Sequence, residues 1–190
     1  RVAARQPIDR LASVASFFVS RVDTLVDTLL DEQIEAESAQ SKKDALRSLK
    51  GKAAIANAQL AYERFTEIFS SERFLKLQVR GARVQRPLWA STSTKNPAYR
   101  DVTYVEELIG PDTINTMPQS TIQAFREHGA VRRTVDSTLE NARKVMENLK
   151  AAGIEFESVT AQLEDEGIEG FSKSYAALIT DVREKSARLW

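Results

Sequence analysis

The chain has 190 residues, 42% hydrophobic and 28% charged, which is enough apolar material to bury a core within one domain. Lysine plus arginine equals aspartate plus glutamate at 27 each, and no stripe of basic residues alternates with aromatics, so neither the balance nor the pattern of charge points to nucleic acid. There is no cysteine and a single histidine, His128, which excludes disulfide scaffolds, thiol catalysis and Cys-based or His-rich metal sites, and no apolar run reaches the roughly 18 residues of a membrane span.

In chain order, Arg1 to Arg10 is polar, broken at Pro7 and opens without methionine, and it reads as the tail of a preceding element. Leu11 to Val19 is an apolar run of strand length, small and β-branched residues first and aromatics last, expected to be a strand buried on both faces. Ser20 to Asp23 begins a helix in which Val22, Leu25, Val26, Leu29 and Leu30 recur at helical spacing, with Asp23, Asp27 and Asp31 expected on its polar side. Glu35 to Lys50 lacks an apolar stripe and is expected as an exposed loop with a helical turn. Lys52 to Phe69, with Ile55, Leu60, Tyr62, Phe65, Ile68 and Phe69 in an alanine-rich background, is a helix.

Gly81 is placed as the stop before a strand at Val84–Ala90. Tyr99–Ile109 is expected to be the next helix, with Gly110 as its left-handed terminator and Pro111 preventing continuation. Asp112–Met117 follows as a strand, and Pro118 stands at the first turn of a helix through Glu127. Beyond Gly129 two amphipathic helices succeed one another without a strand between them. Leu139, Ala142, Val145, Met146 and Leu149 mark one, stopped near Gly153, and Phe171, Tyr175, Leu178, Ile179 and Val182 mark the other.

The strand, helix, strand order across 84–117 predicts a parallel sheet. Ser91, Ser93 and Lys95 fall just past the C-terminal end of the Val84–Ala90 strand, where parallel α/β folds carry their ligand sites. Hydroxyls and a cation in that place point to an anionic substrate, most simply a phosphate. The plain alternative for Ser91 and Ser93 is local bonding to the backbone of the following loop.

Three stretches, GKAAIANAQLAYERF, ARVQRPLWASTSTKNPAY and YVEELIGPDTINTMP, closely resemble the C-terminal part of bacterial transaldolases, and the likeness extends upstream through PIDRLASVASFFVSRVDTLVD and downstream into the final helices. It covers essentially the whole chain but about half of a transaldolase. The resemblance implies an α/β fold, the C-terminal part of a (β/α)8 barrel of the class I aldolase type, with residues 1–130 as its late strands and helices and residues 131–190 as a C-terminal helical extension of the same domain. It implies a transferase that moves a dihydroxyacetone unit from sedoheptulose 7-phosphate to glyceraldehyde 3-phosphate through a lysine Schiff base, in the pentose phosphate pathway, in the cytoplasm, with no cofactor or metal. Its partners would be sugar phosphates and the remaining N-terminal half of the barrel, with no nucleic acid or membrane.

The family's sixth-strand pattern of serine, proline, aromatic, valine, glycine, arginine reads here Ser16, Phe17, Phe18, Val19, Ser20, Arg21. Ser16 would line the sugar pocket and Arg21 would grip the phosphate, with Phe17 and Ser20 departing from the pattern. The seventh-strand pattern of alanine, serine, aromatic, arginine, asparagine reads Ala90, Ser91, Thr92, and then Lys95 takes the arginine's place after a two-residue insertion. The resemblance places the Schiff-base lysine on an earlier strand than any in this sequence, so no catalytic residue is expected within it.

Other residues have plainer readings. Lys76, between Leu75 and Leu77, is expected to be a surface residue rather than a nucleophile. His128 is expected at a helix C-terminus, Trp89 in the core, and Trp190 as a helix cap or a contact with a neighbour. Glu164, Asp165 and Glu166 are expected on a solvated face. Two rivals stand beside the leading reading: a non-catalytic helical interaction fragment, and a sugar-phosphate aldolase on the same barrel.

Overall fold

The computed structural model describes residues 1–188. In chain order the elements are β1 (Ser13–Phe18), α1 (Val19–Ala36), α2 (Gln40–Arg47), α3 (Ala53–Ser70), α4 (Glu72–Gln78), β2 (Gln85–Ala90), α5 (Thr103–Glu106), β3 (Ile114–Asn115), α6 (Gln119–His128), α7 (Leu139–Ala151) and α8 (Phe156–Ala187). The architecture is α/β, largely helical around one small sheet. The three strands are parallel and lie in the order β1, β2, β3, as the alternation of strand and helix predicts. Two compact units result, Arg1–Ile154 and Glu155–Trp190.

The strand register sorts the first unit's side chains. Val14 pairs with Arg86, Ser16 with Leu88 and Phe18 with Ala90, and Leu88 pairs onward with Ile114, so these residues share one face of the sheet. Phe17 and Trp89 share the other, their rings 5.4 Å apart. That second face is the packed one: Trp89 is fully buried and its indole N–H donates to the carbonyl of Leu108 at 3.1 Å. Trp89 is therefore core, as its sequence position predicts. α3 packs against α1, α7 and β2, and its inner face of Ala53, Ala54, Ala56, Ala58 and Tyr62 lets the helices approach closely. After α4, the Gly81 N–H donates to the Gln78 carbonyl at 2.8 Å and the Ala82 N–H to Leu77 at 3.1 Å, with Gly81 at φ +93°. This paired closure needs a left-handed residue, which glycine adopts without a Cβ penalty.

Several expectations need correction. β1 is not buried on both faces: Val14 and Phe18 are exposed, because nothing among the described residues covers the face they share. Asp23 and Asp27 are not on the polar side of α1 but buried, since each stands four residues from an inward position and each carboxylate is filled by donors. Glu35–Lys50 is not a loop: α1 runs through Ala36, and α2 follows, held by the Gln40–Asp44 and Arg47–Asp44 bonds along one face. Of the expected helix Tyr99–Ile109, α5 alone forms, because Tyr99, Tyr104 and Glu106 are drawn to partners outside the segment. Gly110 is not left-handed; the positive φ falls on Asp112, at +56°. At Gly110 a Cβ would lie 2.2 Å from Val135 Cγ1, so close packing is what demands glycine there.

The second unit is α8, which begins well before the expected Phe171 and carries Glu164, Asp165 and Glu166 exposed. Ile168, Phe171, Tyr175, Leu178 and Val182 are exposed along it at alternating spacings of three and four. Trp190 lies outside the described residues.

Candidate functional site

Because the strands are parallel and adjacent, the segments leaving their C-terminal ends emerge side by side. β1 passes directly into α1, which puts Arg21 on the first turn. β2 passes into the loop that carries Ser91, Ser93 and Lys95. The two exits are tied together: the Ser20 N–H donates to the Ser91 carbonyl at 3.0 Å. Ser91 holds φ +55°, a left-handed conformation that costs a residue with a Cβ on the order of 1–2 kcal/mol. Thr92 is fully buried and its hydroxyl donates to Asn115 Oδ1 at 2.8 Å, while the Thr116 N–H donates to the Trp89 carbonyl at 2.9 Å. The β2 exit is thus fixed to β3 on one side and to α1 on the other.

Each of the two exits carries a cation. The Arg21 guanidinium lies 4.8 Å from the Phe18 ring centre, and Lys95 Nζ donates to Ser93 Oγ at 3.1 Å. Both are exposed, and among the described residues neither has a carboxylate within salt-bridge distance. Arginine presents a planar fork matched to phosphate oxygens, and lysine a compact charge on a flexible stem. Ser16 lies on the open face of the sheet, opposite Leu88 and two residues before Phe18.

Behind the junction, α1 supplies two buried carboxylates. Asp23 accepts from the Ala54 N–H at 2.8 Å and the Tyr104 hydroxyl at 2.7 Å; Asp27 accepts from the Gly51 N–H at 2.9 Å and the Tyr99 hydroxyl at 2.5 Å. Asp23 serves as a long-range cap for the start of α3, where unpaired N–H groups and the helix dipole favour a carboxylate, and Asp27 holds the residue just before the helix's N-cap, Lys52. Burial, partly offset by these two bonds, pushes the Asp23 carboxyl up to about 6. Burial, followed by the Asp23 charge, raises the Tyr104 hydroxyl well above the ordinary tyrosine range, and burial followed by the bond to Asp27 does the same for Tyr99. Both tyrosines therefore stay protonated donors.

The structure thus brings the exits carrying Arg21, Ser91 and Lys95 together and places Ser16 on the sheet face below them. Sequence reasoning missed Thr92, Asp23, Asp27, Tyr99 and Tyr104. The spacing of the two aspartates from Val19, Val26 and Leu30 is a signal that was present in the sequence. Lys76 is an exposed α4 residue whose Nζ pairs with Glu72 at 2.6 Å. His128 ends α6 with Nε2 2.8 Å from Asp101 Oδ1, and that bond lowers the Asp101 carboxyl below its ordinary value. A cavity of about 550 Å³ lined by residues including Gln33, Lys42, Leu46 and Asn148, and one of about 430 Å³ with Arg83 and Arg86, both lie away from these exits. No helix among the described residues is long and apolar enough to cross a membrane.

A family profile described as transaldolase/fructose-6-phosphate aldolase matches residues 2–182. Among curated proteins, a transaldolase of Trichodesmium erythraeum is 47% identical over 191 residues, which cover 100% of this chain and 50% of that protein. A transaldolase of Mycolicibacterium smegmatis is 47% identical over 93% of the chain and 46% of its own length, and one of Saccharopolyspora erythraea is 48% identical with the same coverage. The chain spans about half the length of the curated relatives it matches.

Proposed function

We propose that this chain, which belongs to the transaldolase/fructose-6-phosphate aldolase family, is the phosphate-binding part of a transaldolase whose remaining residues complete a (β/α)8 barrel. The observation that supports the reading is the bond from the Ser20 N–H to the Ser91 carbonyl, 3.0 Å long, which ties the exit carrying Arg21 to the exit carrying Ser91 and Lys95. In this reading Arg21 binds the substrate phosphate through its fork, Lys95 adds a second charge, Ser91 donates its hydroxyl, and Ser16 lines the sugar pocket on the open sheet face. Together they hold the substrate without doing bond chemistry. Transfer proceeds through a Schiff base on a lysine outside these residues, which must be neutral to attack the ketose carbonyl. The chain's partners are sugar phosphates and the rest of the barrel, to which residues 1–130 contribute late strands and helices and residues 131–190 a helical extension of the same domain. The relatives named above all carry the name transaldolase, which favours transfer over simple aldol cleavage.

Arg21→Ala in the full-length polypeptide that carries this chain tests the reading. A bond between charged partners is worth about 1.5–3 kcal/mol, so KM for fructose 6-phosphate is expected to rise about 10- to 100-fold with little change in melting temperature. An unchanged KM removes Arg21 from the site.

A further inference from the structure

The loop that carries Ser91 and Lys95 ends at Tyr99, and its far end is anchored to the same helix that carries Arg21. The Tyr99 hydroxyl donates to Asp27 Oδ2, while Asp27 Oδ1 accepts from Gly51, so both oxygens of this buried carboxylate are used. Gly51 holds φ +69°, and a Cβ there would lie 2.7 Å from Tyr99 Cζ, so the ring is seated against bare backbone. Past Thr92, whose buried hydroxyl donates to Asn115 Oδ1, the loop's bonds are short-range: Lys95 to Ser93, the Ala98 N–H to Asn96 Oδ1, and the Tyr99 N–H to the Asn96 carbonyl. Such bonds shape the loop without fixing it in space. What fixes it are the attachments at its ends: Ser91 to Ser20 and Thr92 to Asn115 at the near end, and Tyr99 to Asp27, two turns along α1 from Ser20, at the far end.

We infer that Tyr99 and Asp27 are positioning residues for substrate phosphate, holding the Lys95 loop at a set distance from Arg21 through the Tyr99–Asp27 bond. The inference rests on the phosphate-site reading given under Proposed function. Neither side chain touches substrate. Their effect is on affinity: a phosphate held by an arginine on a helix and a lysine on a loop needs both cations preplaced, and a loop free at one end has to be ordered on binding.

The test uses the full-length polypeptide with inorganic phosphate as a competitive probe beside fructose 6-phosphate. Tyr99→Phe keeps the ring and removes the donor. It is expected to raise KM for fructose 6-phosphate and the inhibition constant for phosphate together, by about three- to tenfold, with kcat within about twofold. Asp27→Asn serves as a second variant should Tyr99→Phe fold poorly, and is expected to shift both constants in the same direction. Tyr62→Phe, which removes a buried hydroxyl bonded to the Pro111 carbonyl at 3.2 Å, is the control and is expected to leave both constants alone. A loss confined to kcat or to the folded fraction, or no change at all, overturns the inference. If Arg21→Ala leaves the phosphate inhibition constant unchanged, the phosphate site itself fails, whatever Tyr99→Phe does.

Discussion

Asp23 shows how burial and hydrogen bonding compete at one side chain. Two donors favour its charged form, yet desolvation outweighs them and lifts the carboxyl from 3.8 to about 6. The folded chain therefore binds a proton that the unfolded chain releases between those values, and stability falls as pH rises through that window. With Asn at this position the titration disappears. Between pH 4 and 6 the unfolding free energy of the parent is expected to drop by roughly 2 kcal/mol relative to Asp23→Asn. Paired denaturant titrations across that range check this, and parallel pH profiles for the two proteins would refute it. Arg21 is expected to bind phosphate directly and Tyr99 to hold a loop in place, and both effects are read in KM.

At the scale of elements, what the sequence makes legible is periodicity and punctuation. β2, α3, α7 and the stop at Gly81 follow from apolar spacing and from glycine at a left-handed turn. The misplaced elements share a different cause, namely partners distant in sequence. Charge and spacing place Asp23 and Asp27 outward, whereas bonds to Gly51, Ala54, Tyr99 and Tyr104 carry them inward. The same bonds limit Tyr99–Ile109 to the single turn of α5. In the candidate site, the positions of Arg21, Ser91 and Lys95 at strand exits were legible from the motif. The left-handed backbone of Ser91 and the buried hydroxyl of Thr92 were not, since no local pattern signals either one. Gly110 has the sequence setting of a turn former but is a packing position against fully buried Val135. Gly110→Ala is accordingly expected to cost about 1–3 kcal/mol by overpacking, measured by chemical denaturation. A loss of a few tenths would indicate a site that yields.

For the whole molecule, the sheet's open face and the chain's coverage of its relatives point the same way. Val14, Ser16 and Phe18 face away from the packed helices, and β1 pairs on one side with β2 and with no other described strand. α8 likewise presents Phe171, Tyr175 and Leu178 to solvent. An exposed strand edge and uncovered apolar faces are aggregation liabilities that a closed barrel removes. These 190 residues by themselves are expected to self-associate in size-exclusion chromatography, and a sharp monomer peak would count against the partial-barrel reading. The most direct test is to incubate the full-length polypeptide with fructose 6-phosphate, reduce it with borohydride and map the modified peptide by mass spectrometry. The account predicts a trapped three-carbon adduct on a lysine outside this sequence. An adduct on any lysine within it, or none at all from active protein, would contradict the claim that these residues bind the substrate while the Schiff base forms elsewhere.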